Sequence, residues 1–283
     1  MQLAWHYFQF NIPSTWEVTA YKKNTEDGQL VLSERSGETM SVFWKRWKNS
    51  PMLTRGLVEL ARTNVGETWN DAAIQKSITE IQGWKVFLPG IPETPVFAAR
   101  FVSGQNVLLT VAFPSRSNFP LHDQVRSILT SFQPNDAAQR RWSAFGLDVT
   151  LPEKMKLSDV QALPALQMMR FENDPGESIT IHRYGMFPLI LGDDDVATFF
   201  ARRKGKRFLL RRESTFIKDG KYEGECLSYQ PPGKLGISRL TGRARMGRVW
   251  LWSCDDLRRL YSVDCCARKN NLPENLADSV QCG

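Results

Sequence analysis

The sequence has little histidine and no long apolar run. Its 283 residues include 3 His and 5 Cys, against 9 Trp and 16 Phe. The apolar runs are only a few residues long, whereas a helix that crosses a bilayer needs about 20 residues. The first residues lack the basic and apolar regions of a secretory signal. We therefore expect no membrane span and a cytoplasmic location.

The cysteine pattern does not predict a metal or disulfide framework. The number of Cys residues is odd, and all of them lie in the last quarter of the chain. Cys265 and Cys266 are adjacent, whereas structural zinc sites favour Cys separated by about two to four residues. The three His residues, at positions 6, 122 and 182, are far apart in sequence. We expect free thiols, no metal and no cofactor.

Catalytic motifs are also missing. No Gly-x-Ser-x-Gly turn occurs, and Gly205-Lys206 lacks the other residues of a phosphate-binding Walker loop. The acidic triplet at positions 193–195 is explained as the start of a helix, where carboxylates cap free backbone N–H groups. The sequence therefore predicts a protein that is not an enzyme.

The two halves of the chain resemble each other at an offset of about 139 residues. Ile12-Pro13 matches Leu151-Pro152, and the segments 30–32 and 40–42 match 169–171 and 179–181 at the same offset. A further match pairs 107–109 with 249–251 at an offset of 142. The short polar segment 133–139 separates the halves. We predict two domains, residues 1–135 and 136–283, that are copies of one fold.

The sequence pattern of each half predicts strands that are interrupted by one amphipathic helix. Ser50-Pro51 indicates a helix over 51–64, and the acidic triplet indicates a second helix that ends at Arg202–Lys204. Short helices near 121–131 and 272–281 close the two copies. Alternating strands are predicted near 29–33, 40–44, 74–87, 94–103, 106–113, 213–219, 223–229, 237–244 and 248–254. Runs of antiparallel strands with segregated helices indicate the α+β class.

The opening segment 10–16, with the sequence Phe-Asn-Ile-Pro-Ser-Thr-Trp, resembles the start of PsbP-like domains. The segment 128–132 is similar to the closing helix of that superfamily, which includes an extrinsic photosystem II protein, a nuclear Ran-binding factor and bacterial DcrB-like proteins. The resemblance implies an antiparallel sheet flanked by helices, once in each copy. Segment 17–21 departs from the acidic segment of the Ran-binding branch, so the bacterial branch is closer. That branch includes chaperones encoded beside type VI secretion effectors, which implies a concave sheet face that holds apolar effector helices.

Strand alternation divides the predicted side chains between two sheet faces. The core face carries apolar residues in both copies: Leu30, Leu32, Met40, Val42, Trp44, Met169, Phe171, Ile179 and Ile181. The opposite face carries Leu108, Thr110 and the residues that we predict to bind a partner: Trp250, Trp252, Tyr184, His182, Arg170 and Phe43. Aromatic residues and Arg are enriched in interaction surfaces. The alternative is that helices also cover this face and bury the Trp residues.

These observations favour a non-enzymatic interaction protein, an adaptor or chaperone, that binds a protein partner on a sheet face. The alternative is a small-ligand protein or enzyme with a site between the domains, for which His182, Arg170 and Arg183 are the candidates. A third hypothesis is nucleic-acid binding through the basic segment 202–212. We do not favour it, because the excess charge of the chain is only +7 and the segment follows an acidic helix start.

Overall fold

The computed structural model describes residues 1–34, 37–65, 69–89, 91, 94–114, 121–135, 139–173, 176–204, 210–230, 245–268 and 276–282. Its contacts divide the chain into two compact units, Met1–Ala144 and Phe145–Gly283. This division differs from the predicted join near residue 136. The difference arises because the strand Gln139–Ala144 pairs with Gln2–Trp5 in the first unit.

The first unit contains two antiparallel sheets. Its strands are β1 (Gln2–Trp5), β2 (Phe8–Asn11), β3 (Glu17–Tyr21), β4 (Asp27–Glu34), β5 (Gly37–Arg46), β6 (Ile78–Ile81), β7 (Trp84–Phe87), β8 (Val96–Val102), β9 (Val107–Phe113), β10 (Gln133–Pro134) and β11 (Gln139–Ala144). The large sheet has the order β3-β4-β5-β9-β8-β7-β6. Strands β10, β2, β1 and β11 pair in that order. The helices are α1 (Leu53–Asn64), α2 (Asp71–Lys76) and α3 (Leu121–Thr130).

The second unit has a large antiparallel sheet and a strand pair. Its strands are β12 (Leu147–Pro152), β13 (Lys156–Leu163), β14 (Leu166–Glu172), β15 (Ser178–Gly185), β16 (Leu210–Lys218), β17 (Tyr222–Tyr229), β18 (Arg245–Cys254), β19 (Arg259–Arg268) and β20 (Val280–Cys282). The order of the large sheet is β13-β14-β15-β19-β18-β17-β16, and β12 pairs with β20. The helices are α4 (Phe187–Leu191) and α5 (Val196–Lys204).

The two large sheets have the same connectivity. In each sheet, the first three strands pair in sequence order, and helices then connect the third strand to a strand at the opposite edge. The remaining strands pair in sequence order from that edge inward, until the last strand pairs with the third. Helix α1 contacts β8 in the first unit, and α5 contacts the equivalent strand β18 in the second. The predicted α+β class is confirmed. Among the described residues, no helix has the length and apolar character needed to cross a bilayer.

Helices α1 and α5, which pack on the large sheets, differ in how their N-termini are capped. Helix α5 begins after Asp195, whose carboxylate accepts a hydrogen bond of 2.7 Å from the backbone N–H of Thr198, as predicted for the acidic triplet. Helix α1 begins at Leu53, and Met52 at its N-cap position offers no side-chain acceptor. The predicted cap at Ser50-Pro51 is therefore wrong. Helix α1 is held instead by its apolar stripe, in which Leu57 and Ala61 are buried.

The core face is predicted correctly in both units. The nine apolar side chains assigned to it from strand alternation are all buried, and Ile179 is the most exposed of them at 7%. Each buried aliphatic or aromatic side chain contributes about 1.5–3 kcal/mol through removal of its apolar surface from water. Burial of this face is therefore a main source of stability in each unit.

The central strand β19 is missing from the predicted set. Its side chains are buried on both faces over most of its length, so the sequence does not alternate between apolar and polar residues. As a consequence, the predicted match of 107–109 with 249–251 is wrong, because β9 is equivalent to β19 and not to β18. The predicted helix near 272–281 is also wrong over 276–281, where a 3-10 turn and β20 are found. The predicted strand 237–244 lies outside the described residues.

Candidate functional site

Each large sheet has a cavity beside the helix that packs on it. In the first unit the cavity lies between α1 and the sheet, and in the second unit it lies between α5 and the sheet. Each has a volume of about 440 Å³, which is in the range of small-molecule or side-chain binding sites. The two cavities occupy equivalent places in the repeated topology but differ in chemistry.

The cavity of the first unit is lined mainly by apolar side chains, and we call it the apolar groove. Its lining residues are Phe43, Pro51, Met52, Leu53, Gly56, Leu57, Leu60, Asn64, Phe97, Ala99, Leu108, Thr110 and Ala112. The side chains of Phe43 and Met52 are 38% and 79% exposed to solvent. Leu57 is buried beneath them in a cluster with Phe97 and Ala99. The groove therefore presents apolar surface to solvent above a packed core.

Gly56 keeps one side of the apolar groove open. It lies inside α1, where Gly destabilises a helix by about 1 kcal/mol relative to Ala. A Cβ atom at this position would have no heavy atom within 4 Å. Neither backbone conformation nor crowding therefore requires Gly here. The consequence of the missing side chain is free space along the helix at the groove.

The cavity of the second unit is polar, and we call it the polar pocket. Its lining residues are Asp159, Met168, Arg170, Ser178, Thr180, His182, Tyr184, Phe200, Arg203, Lys204, Tyr229, Asp264 and Cys266. The sheet residues all point to the face that α5 covers, because their registers align from β13 through β14, β15, β19 and β18 to β17. Three cationic side chains and two carboxylates line the pocket, so the lining has an excess of positive charge.

Asp264 is the most buried acidic group of the polar pocket, with 7% exposure. Its carboxylate accepts hydrogen bonds from the ammonium group of Lys204 and the hydroxyl of Tyr229. The Lys204 Nζ atom also lies 4.7 Å from the centre of the Tyr229 ring. A buried carboxylate is costly unless it is paired in this way. Burial, together with the nearby Asp264 charge, raises the pKa of Tyr229, so its phenol stays protonated and donates.

His182 lies on β15 beside this network. Its Nδ1 atom is 3.1 Å from the Oγ atom of Ser262, and its ring stacks on Tyr184 at 5.5 Å. Burial, and then the positive charges of Arg203 and Lys204, lower the pKa of His182 to about 4. The imidazole is therefore neutral at pH 7. Ser262 is fully buried, so this His–Ser pair does not present a nucleophile to solvent.

The two cavities carry different residues at matching sheet positions. Phe43 and His182 are 139 residues apart, the offset of the internal repeat. Phe43 pairs across the sheet with Thr110, and His182 pairs with Ser262. By the same registers, Ala112 occupies in the first unit the place of Asp264 in the second. The fold therefore accepts apolar or polar side chains on this face.

The structure places the predicted partner-binding residues in three different surroundings. Arg170, His182 and Tyr184 line the polar pocket, as their shared face predicted. Phe43 lines the apolar groove of the other unit. Trp250 and Trp252 belong to neither cavity. The six residues do not form one surface.

Trp250 and Trp252 lie on the core face of the second sheet, so the face assigned to them is wrong. Trp250 pairs with Val263, which in turn pairs with Ile181 of the core face. The two Trp side chains are only 3% and 1% exposed. Trp252 stacks on Tyr261 with ring centres 5.4 Å apart. These residues are therefore core, as the alternative states, but α5 does not bury them, because it packs on the opposite face against Val249 and Leu251.

Sequence reasoning missed the residues that give the polar pocket its charge network: Lys204, Tyr229 and Asp264. For Asp264 the signal is in β19, where Ser262, Asp264 and Cys266 share one face. It was hidden because the residues between them are also buried and the segment has no clear period of two. The sequence places Lys204 at the end of a predicted helix and in the basic segment 202–212, and neither feature assigns it to a pocket. Residues 205–209 of that segment lie outside the described part of the chain.

Other candidate groups do not join either cavity as reactive groups. Arg183 donates a hydrogen bond of 2.6 Å to the carbonyl oxygen of Phe145, away from His182 and Arg170. Burial raises the pKa of Cys226 to about 11 and that of Cys265 to about 12. Burial also raises the pKa of Cys266, so these thiols stay protonated at pH 7. Within the described residues, no cluster of three or more His, Cys, Asp or Glu side chains could hold a metal ion.

Comparison with known proteins does not place the chain in a family. No family model matches the sequence, and no curated protein matches it significantly.

Proposed function

We propose that this chain is a non-enzymatic interaction protein, an adaptor or chaperone, whose apolar groove binds an apolar helix of a partner protein. The observation that carries the proposal is the open groove along α1, with Phe43 and Met52 exposed at its edge. When a partner covers exposed apolar surface, the removal of that surface from water contributes about 25 cal/mol per Å² of favourable free energy. A helix that lies in a groove presents anchors at every third or fourth residue, which suits an elongated apolar site.

The resemblance of segment 10–16 to PsbP-like domains supports the same proposal. We propose that the two units are tandem PsbP-like domains of the bacterial branch, in which a sheet face receives apolar effector helices. The apolar groove lies on a sheet face, between β5, β8, β9 and α1. The sharper form of the proposal is a chaperone for a secreted effector. A type VI effector gene beside the gene for this chain supports that form, and a housekeeping neighbourhood contradicts it.

Gly56 provides the variant that tests the groove. Gly56→Trp places a large ring in the free space beside α1, so it should block the groove without disturbing the core. The full chain is used as bait in the native cell, and captured proteins are identified by mass spectrometry. We expect the partner captured by the wild type to be lost with Gly56→Trp.

Gly56→Ala is the matched control, because it adds only a methyl group in open space. It should capture the same partner as the wild type. Circular dichroism establishes that both variants are folded. The proposal is contradicted when folded Gly56→Trp captures the partner as well as Gly56→Ala does, since the groove is then not the binding surface.

A further inference from the structure

The polar pocket carries a set of groups that the fold does not require. The first unit builds the same sheet with Phe43, Thr110 and Ala112 at the places of His182, Ser262 and Asp264. Burial of the Asp264 carboxylate costs desolvation free energy. Its hydrogen bonds with Lys204 and Tyr229 compensate for this cost but are not a net source of stability. A buried charge network beside a cavity of about 440 Å³ therefore indicates a ligand site.

The arrangement of charges indicates the sign of the ligand. Asp264 is already paired with Lys204, and both are held inside the pocket. The guanidinium groups of Arg170 and Arg203 are more exposed. Arg170 pairs with Glu172 at 2.7 Å, but both side chains are nearly half exposed, and such surface pairs contribute little. Arg170 can therefore exchange this partner for an anionic ligand.

Arg203 is positioned by aromatic rings. Its guanidinium carbon lies 5.1 Å from the centre of the Tyr184 ring and 5.8 Å from that of Phe199. Stacking of this kind orients the planar fork of Arg, which matches the geometry of carboxylates and phosphates. Neutral His182 and the hydroxyl of Thr180 add hydrogen-bonding groups without charge.

We propose that the polar pocket binds a small organic anion, whose carboxylate or phosphate group is held by Arg203 and Arg170. The apolar part of the ligand would contact the rings of Tyr184 and Phe200, which line the same pocket. This inference is independent of the protein-binding proposal, because it concerns the second unit alone.

The test measures binding of defined anions to the full chain by calorimetry and thermal shift at constant ionic strength. Succinate and benzoate probe carboxylates, inorganic phosphate and phenyl phosphate probe phosphates, and chloride is the reference. We expect one of the two classes to bind with saturation and to raise the Tm above that in chloride. The class that binds identifies the anionic group of the ligand.

Arg203→Met keeps the apolar stem and removes the charge, so it should raise the Kd by about tenfold or more. Arg202→Met is the matched control in the same helical turn. The Arg202 side chain is 72% exposed and pairs with Asp194, so the control should leave the Kd unchanged. His182→Phe is a second variant, which installs the residue that the first unit carries at this place and should also weaken binding.

Two results overturn the inference. The first is that none of the four anions raises the Tm above that in chloride. The second is that Arg202→Met weakens binding as much as Arg203→Met, which would indicate unspecific attraction to a basic surface. If Arg203→Met fails to fold, the His182→Phe variant provides the test. An anion affinity of His182→Phe equal to that of the wild type would contradict the proposed site. Partner capture by a folded Arg203→Met variant should be normal, which separates this test from that of the apolar groove.

Discussion

At the scale of single residues, Trp252 shows the limit of composition as a guide to function. Aromatic residues are enriched both in interaction surfaces and in cores. Strand alternation separates the two cases only when the register between strands is known. The sequence establishes that Trp250 and Trp252 share a face, but it does not show which neighbours in β19 they meet. The pairing of Trp250 with Val263 decides that this face is the core.

Replacement of Trp252 by Ala should therefore destabilise the protein and not act on binding alone. Trp252 is 1% exposed and contacts the rings of Tyr261 and Phe216. Loss of a buried Trp costs about 3–5 kcal/mol. Urea unfolding followed by circular dichroism measures this change. Ile217→Ala, at a side chain that is 57% exposed, is the control and should change the stability by no more than about 0.5 kcal/mol. An unchanged unfolding curve for Trp252→Ala contradicts the core assignment.

The buried His6 and the partly buried His182 predict that stability falls in acid. Burial lowers the pKa of His6 to about 3 and that of His182 to about 4, while the unfolded chain titrates near 6.5. Between these values the unfolded state binds more protons than the folded state, so the free energy of unfolding decreases as the pH falls below about 6.5. Each His contributes up to about 2 kcal/mol of this loss between pH 7 and pH 5.

His182→Phe isolates one of these contributions. The variant lacks the titrating group, so the loss of stability between pH 7 and pH 5 should be smaller than in the wild type. Urea unfolding at the two pH values measures it. An equal loss in wild type and variant would show that His182 does not titrate differently in the folded and unfolded states.

At the scale of elements, α1 and β19 show what the sequence can and cannot predict. The apolar stripe of α1 predicts the helix, although not its starting residue, because period 3.6 is a local signal. Strand β19 is paired on both edges and buried on both faces, so its side chains have no period that marks a strand. The β19 residues of the polar pocket, Asp264 and Cys266, are therefore beyond prediction from the sequence, whereas the alternating strands β14 and β15 place Arg170, His182 and Tyr184 on one face.

Helix α1 is less stable than it could be, because Gly56 lies in its interior. Gly56→Ala should raise the free energy of unfolding by about 0.5–1 kcal/mol, since Ala is the better helix former and its methyl group meets no other atom. Thermal unfolding measures the gain. A loss of stability would mean that the space beside Gly56 is smaller than the structure indicates, and it would remove Gly56 from the groove proposal.

At the scale of the whole molecule, one connectivity occurs twice with two different chemistries. The internal offset of 139 residues predicted the repetition, and it also relates Phe43 of the apolar groove to His182 of the polar pocket. The sequence alone did not assign these two residues to separate cavities, because the groove and the pocket depend on how α1 and α5 pack on their sheets. The proposed division of roles follows: the first unit binds an apolar helix, and the second binds a small anion.

Site-specific photocrosslinking tests whether the apolar groove binds a partner helix. A photoreactive amino acid replaces Met52 at the edge of the apolar groove, or Ile217 on the second unit as the control, and the full chain is irradiated in the native cell. Both side chains are well exposed, at 79% and 57%. We expect a covalent adduct from position 52, with the crosslink mapped to an apolar helix of one partner protein. An adduct from position 217 only, or a crosslink from position 52 to a polar segment, would contradict it.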